Sequence, residues 1–274
     1  MIDISSEFAL TYDKNNLALE FAQICSRAAI PVMEVYATDF TPEQKADRSP
    51  VTQADTLAEK IMLDALQSTH PNIPIIAEEQ FSTGVRPDVG DEFLLVDPVD
   101  GTKEFIAKNG EFTLNIALIR GGHPVVGCVF APAMERIYLG GEGAFAGPLI
   151  PGCILNPAAL VPIATRKTPP PSGPVAIISR SHADDQTQAF IEAQGVVEKF
   201  YAGSSLKFCR LAEGVADIYP RFAPTMEWDT GAGHAVLNGA GGAVTKPDGT
   251  QFRYGKSEND YRNGHFIAWA APPG

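Results

Sequence analysis

Basic residues are scarce: 21 Lys and Arg stand against 33 Asp and Glu in 274 residues, a formal charge of −12. No Lys/Arg run interrupts that balance, which argues against polymeric nucleic acid or an anionic membrane surface as a partner. Cysteine is rare too. Cys25, Cys128, Cys153 and Cys209 lie far apart, with no C-x-x-C pair and no histidine at finger spacing, so neither a disulfide framework nor a structural zinc site is expected. No apolar window approaches the length of a membrane span, and the first residues lack a basic stretch followed by an apolar one. The expectation is a cytoplasmic protein without a transmembrane segment, with peripheral membrane association left open.

What is present is enough apolar residue, 45%, to bury a sizeable core as one large domain or two modest ones. Over 14–36, Leu17, Leu19, Phe21, Ile24, Ala28 and Val32 fit a helix that ends or kinks near Pro31. Leu57, Ile61, Ala65 and Leu66 then repeat at helical spacing, with Thr52 or Asp55 near the start of that helix. Short β-like runs follow at 74–77, 93–96, 113–119, 125–130 and 136–139, several separated by glycine turns. The proline cluster of 167–174 reads as a linker, since proline removes the donors that regular structure needs. Beyond it, strands at 175–179, 200–202 and 217–219 alternate with helical patterns at 184–194, 205–213 and 230–237. The expected class is α/β: an α+β part over 1–166 carrying most of the acidic motif residues, and a smaller α/β part over 167–274.

Chemistry concentrates where apolar runs end in acid. Phe93–Val96 runs into Asp97-Pro98-Val99-Asp100-Gly101-Thr102. A strand end is a rigid place from which to aim carboxylates, and Asp97, Asp100 and the Val99 carbonyl are hard oxygen ligands of the kind Mg²⁺ takes. Gly101 and Thr102 open a turn or helix whose N–H groups could receive a phosphate. The bland alternative is an ordinary D-P-x-D turn with Thr102 as a cap. Pro74–Ala77 likewise ends in Glu78-Glu79, and Trp228-Asp229-Thr230-Gly231-Ala232-Gly233 puts Asp229 near a helix start. Each alone reads as a solvated edge or an N-cap. Three such junctions meeting at one point would form a two-metal centre suited to phosphoryl hydrolysis.

These blocks, in this order, resemble the lithium-sensitive, Mg²⁺-dependent phosphatases of the inositol monophosphatase superfamily, from Lys45–Asp55 to the C-terminal helix and strand. The resemblance implies a layered αβαβα fold and two or three Mg²⁺ ions. It makes Glu78, Asp97, the Val99 carbonyl, Asp100 and Asp229 metal ligands, and gives Asp55 and Thr102 the task of orienting and deprotonating the attacking water. The amides of Gly101 and Thr102 would meet the phosphate. Gly231-Ala232-Gly233 departs from the family's more usual Ala-Ala-Gly, which is expected to loosen the helix start slightly.

Thr102–Phe105 with Gly110–Thr113, and Gly203–Cys209 with Tyr219–Phe222, look like the bacterial CysQ-type 3′(2′),5′-bisphosphate nucleotidases. That branch cleaves adenosine 3′,5′-bisphosphate, a small nucleotide; 3′-phosphoadenosine 5′-phosphosulfate is an open second substrate. By this resemblance His182 lies near the adenine, and Ser204, Lys207 and Arg221 hold the 5′-phosphate that is not cleaved. Taken singly, Lys207 could equally be a solvated helix residue, His182 a cap and Arg221 a surface ion pair. An inositol or sugar monophosphatase of the same superfamily is the nearest alternative, and a non-catalytic nucleotide-binding protein a more distant one.

Overall fold

The computed structural model describes residues 13–39, 43–44, 50–51, 53–179 and 185–272. Helix α1 (Lys14–Tyr36) is capped by Asp13, whose Oδ1 accepts from the amides of Asn15 and Asn16. It does not end at Pro31. The missing proline N–H costs one backbone bond, while Phe21, Ile24, Ala28 and Val32 stay buried along one stripe on both sides of the ring. In α2 (Gln53–Thr69) the buried stripe is Ala54, Ala58, Met62 and Leu66, and Leu57 is exposed. Of the expected stripe, Leu66 is buried, Ile61 and Ala65 pack half-buried against the core, and Leu57 falls outside it. Small alanines on α2 and on α1 let the two helices lie close, and the bulkier leucine is left outside. A short ribbon, β1 (Glu43–Gln44) with β2 (Pro50–Val51), precedes α2.

The larger sheet has seven strands in sequential order: β3 (Ile75–Ala77), β4 (Glu92–Asp100), β5 (Thr113–Arg120), β6 (His123–Ala131), β7 (Arg136–Gly140), β8 (Ala144–Pro148) and β9 (Val161–Pro162). Only β3 and β4 run parallel; the rest are antiparallel neighbours. Short helices α3 (Glu78–Ser82) and α4 (Thr102–Ile106) follow β3 and β4 directly. Strand β4 does not stop before its acidic motif but runs through Pro98. Asp97 faces Asn115 and Asp100 faces Thr113, so one extra residue is accommodated in β4. Such a bulge is where a proline without a donor is tolerated within a sheet.

The smaller sheet lies wholly beyond the proline-rich segment. It is built from β10 (Val175–Ser179), β11 (Glu198–Ala202), β12 (Ile218–Arg221), β14 (Ala243–Thr245) and β16 (Phe266–Trp269), in the order β11-β10-β12-β16-β14. Strands β13 (Thr225–Met226) and β15 (Arg262–Asn263) form a separate ribbon. Helices α5 (Asp185–Ala193), α6 (Leu206–Ala212) and α7 (Glu227–Gly239) belong to this half of the chain.

Side chains of β4 alternate between two cores, as period-two geometry demands. Leu94 and Val96 join α1 and α2, whereas Phe93 and Leu95 join Phe208 of α6 and Val236 of α7. On the outer face of the smaller sheet, Ala176 and Ile178 pack against Ile191 of α5. The layers are thus αβαβα, with α6 and α7 between the sheets. Two glycines allow α7 to press onto the large sheet. A Cβ at Gly140 would stand 2.5 Å from the backbone of Ala235, and one at Gly231 would stand 2.9 Å from Leu95 Cδ1. Gly231 therefore has a packing reason beyond any loosening of the helix start.

Candidate active site

Where the ends of β3, β4 and β12 meet the starts of α6 and α7, a cavity of about 230 Å³ opens. Glu78, Asp100, Gly101, Thr102, Ser204, Lys207, Arg221 and Asp229 all line it. Asp55, Asp97 and Val99 are buried, each 1% exposed, and are not among the residues lining it. His182 lies outside the described residues.

The acidic side of the cavity is built from element ends. Asp55 occupies the first turn of α2. Glu78 is the first residue of α3, immediately after β3. Asp97 Oδ1 accepts from the amide of Val99 at 3.1 Å, which closes the bulge from within. Asp229 stands in the first turn of α7, where its Oδ2 accepts from the Met226 amide at 2.8 Å, a carboxylate reaching back to the N-cap. Burial and the neighbouring carboxylates of Asp100 and Glu78 push the Asp229 carboxyl well above its usual range. Burial likewise raises Asp100, against the pull of Lys207 and of its hydrogen bonds to Ser204 and Ser205. Among the described residues, no three acidic, histidine or cysteine side chains converge on a single point in the recorded rotamers. Even so, hard oxygens crowded at low dielectric are a donor set that a small divalent cation would relieve.

Gly101 enters α4 with φ +89°, and a Cβ there would stand 3.2 Å from both Glu111 O and Ser204 Cβ. Only glycine fits that conformation and that approach. Thr102 Oγ1 donates to Val99 O at 3.3 Å, so the two groups assigned to water and metal already touch each other. The turn into α6 is held against β4 and β5 by hydroxyls. Ser204 Oγ and Ser205 N donate to Asp100 Oδ2 at 2.8 and 2.6 Å, Ser205 Oγ donates to Asn115 Oδ1 at 2.8 Å, and Thr113 Oγ1 bonds to both serine hydroxyls. Ser204 pays for its place with a left-handed φ of +53°. Its hydroxyl serves Asp100 rather than standing free for a ligand.

Two buried cations form the other side. Lys207, 5% exposed on α6, donates through Nζ to Ser204 O at 2.6 Å and lies 5.4 Å from the Tyr219 ring. Desolvation lowers its pKa to about 8, opposed by Asp100. Arg221, 9% exposed at the end of β12, donates to Ala223 O and Pro224 O at 3.2 and 3.3 Å. Neither residue is a solvated surface charge, which disposes of the bland readings for both.

Sequence reasoning gave no role to the groups that hold these residues in place: Thr113, Asn115, Ser205 and Glu59. Glu59 is 4% exposed and takes the amides of Glu79 and Gln80 on its two oxygens at 2.7 and 2.8 Å. Burial, the largest influence, raises it to about 7. Its signal was the i, i+4 spacing from Asp55, which puts both carboxylates on one face of α2.

This layered fold, with acidic element ends facing one cleft, is that of a sugar-phosphatase-like protein, and the chain belongs to the inositol monophosphatase family, whose profile matches residues 15–271. Within it, the chain is 40% identical over 242 residues to a 3′(2′),5′-bisphosphate nucleotidase CysQ from Escherichia coli O157:H7, covering 88% of this chain and 94% of that protein. The crystal structure of CysQ from Bacteroides thetaiotaomicron, 33% identical, superposes with a TM-score of 0.80 over 96% of this chain and 99% of that one. An inositol monophosphatase from Zymomonas mobilis, at 22% identity, shares the fold with a TM-score of 0.74 over 94% of each chain. Among the described residues, no helix is long and apolar enough to cross a membrane.

Proposed function

We propose that this chain is a Mg²⁺-dependent phosphatase that removes the 3′-phosphate of adenosine 3′,5′-bisphosphate, giving AMP and phosphate. The observation that carries the proposal is the pairing, in one cavity, of a carboxylate wall with two buried cations, Lys207 and Arg221. A monophosphate needs the first; only a second anionic group gives the second something to bind. The name carried by relatives at 40% identity supports the same reading.

Glu78, Asp97, the Val99 carbonyl, Asp100 and Asp229 would hold the metal, two or three ions. When bound, Mg²⁺ supplies the positive charge that neutralises phosphoryl oxygens and makes water more acidic. Asp55 and Thr102 orient the attacking water and take its proton, the hydroxyl exchanging its contact with Val99 O for the water. The amides at Gly101 and Thr102, opening α4, face the phosphoryl oxygens as charge builds on them. Lys207 and Arg221 hold the 5′-phosphate, Arg221 by a planar fork and Lys207 as a point charge, so that binding energy from a group that does not react positions the one that does. Ser204 acts in this arrangement through Asp100. The setting is the cytoplasm, where Cys25, Cys128, Cys153 and Cys209 remain thiols.

The test is phosphate release at equal enzyme concentration, with Mg²⁺, from adenosine 3′,5′-bisphosphate and from inositol 1-phosphate. The bisphosphate is expected to have at least a hundredfold higher kcat/KM. Preference for inositol 1-phosphate would establish the inositol or sugar monophosphatase reading instead, and no turnover of either would return the chain to the binding proteins.

A further inference from the structure

Helix α3 begins without a cap of its own. The residue at its N-cap is Ala77, which offers no side-chain acceptor, although its backbone is extended as an N-cap's should be. The amides a local Ser or Asp would satisfy are those of the second and third helical residues, here Glu79 and Gln80. Both donate instead to Glu59, whose two carboxylate oxygens arrive from the neighbouring helix. Glu59 is 4% exposed, so this is a carboxyl group with both oxygens committed to donors out of water, where such bonds are strong.

We infer that Glu59 is a positioning residue for the metal site, acting through Glu78: by clamping the first turn of α3 it sets where the Glu78 carboxylate enters the cavity. The geometry gives α2 a double task. Asp55 and Glu59 are one turn apart on its buried face, so the same rigid helix carries the carboxylate assigned to the water and the clamp that places a metal ligand. Distances between those two functions are then fixed along one helix rather than across a five-residue element with an alanine cap. An interior carboxylate held for stability alone would be an expensive choice, because its desolvation is offset only by the two amides. The inference rests on the reading of Glu78 as a metal ligand.

The experiment measures metal affinity apart from turnover, by calorimetric titration of the purified protein with Mg²⁺ without substrate, beside thermal unfolding. Glu59→Gln keeps the shape but turns one acceptor into a donor facing an amide. It is expected to weaken Mg²⁺ binding by roughly ten- to a hundredfold, the usual scale for groups that orient a ligand from behind. It should raise the Mg²⁺ concentration for half-maximal activity in proportion, while kcat at saturating Mg²⁺ falls less than threefold. Leu66→Ala, in the same helix and buried at 0%, separates this from general loosening: it should lower the unfolding temperature and leave Mg²⁺ affinity unchanged. Wild-type affinity in Glu59→Gln, or equal weakening in Leu66→Ala, would overturn the positioning role. Glu78→Gln keeps the two failures apart. If it binds Mg²⁺ as the wild type does, the ligand assignment itself is wrong; if it binds weakly while Glu59→Gln does not, only the role of Glu59 falls.

Discussion

The two walls of the cavity are charged oppositely and are built by opposite means. The acidic wall draws on the larger sheet and α7, and its carboxylates, with Asp97 buried behind them, are steadied by backbone amides: Val99 N on Asp97, Ser205 N on Asp100, Met226 N on Asp229. The cationic wall draws on the smaller sheet and α6, and its donors rest on carbonyls: Ser204 O under Lys207, Ala223 O and Pro224 O under Arg221. Backbone thus holds both walls, and at Asp100 it does so across the cleft, since Ser205 belongs to the smaller half. They differ in what remains unbalanced. Burial, with the two carboxylates of Asp100 and Glu78, pushes Asp229 toward protonation. Lys207 faces Asp100 and is partly compensated within the protein. A like-charged cluster requires an outside cation, whereas a compensated one can receive an anion without being disrupted by its absence.

The sharpest way to break that contrast is to neutralise the acidic wall. Asp97→Asn and Asp229→Asn each remove a charge and almost no volume, and the amide oxygen can still accept from Val99 N or Met226 N. Turnover with Mg²⁺ is expected to fall at least a thousandfold, about 4 kcal/mol of transition-state stabilisation. Metal-free thermal stability should hold or rise as repulsion is relieved. Near-normal steady-state kinetics in either variant would make that residue a turn or cap former.

A smaller effect is expected on the other wall, and it should depend on the substrate. Arg221→Ala or Lys207→Ala should lower kcat/KM for adenosine 3′,5′-bisphosphate by roughly ten- to a thousandfold, about 1.4–4 kcal/mol for a charge-assisted contact. Adenosine 3′-monophosphate, lacking the 5′-phosphate, should be poor from the start and lose little more. Proportional losses on both compounds would show that these cations support the fold of the cleft rather than the second phosphate.

Much of this arrangement was legible in the chain. Apolar runs ending in acid placed Glu78, Asp97, Asp100 and Asp229 at element ends, and the structure puts three of them on one cavity, because strand termini and helix starts are where a layered fold opens. Strand and helix order was readable from period and punctuation, as at 175–179, where expectation and β10 coincide. What stayed hidden depended on tertiary contact. Pro98 looked like a strand end because propensity cannot anticipate a bulge against β5. Leu57 looked like core because hydrophobicity alone ignores how closely two alanine-faced helices approach. The contact of Ser204 with Asp100 and those of Glu59 with the amides of α3 join residues far apart in the chain, which no local pattern shows.

The smallest expected effect concerns α7, the helix that carries Asp229 and also buries a histidine in its middle. His234 is 4% exposed, its Nδ1 lies 3.0 Å from Tyr254 Oη, and burial drives its pKa down to about 3. A folded-state value below the ordinary 6.5 means that the unfolded chain takes up this proton first. Stability is therefore complete above pH 6.5 and is lost as pH falls toward 3, by about 1.4 kcal/mol per unit. Asp100 and Asp229, held above their usual range without metal, act in the opposite direction, since acid relieves the cost of burying both charges and, at Asp229, the repulsion of Asp100 and Glu78. The total slope mixes the two, so the useful quantity is a difference between proteins. Denaturant unfolding of metal-free wild type and His234→Gln, compared at pH 6.5 and pH 5, cancels the carboxylates and isolates the histidine. The wild type should lose about 2 kcal/mol more than the variant across that interval. Equal losses would mean that His234 is already charged or solvated in the fold, and that α7 is less firmly seated behind the acidic wall than its packing against the sheet implies.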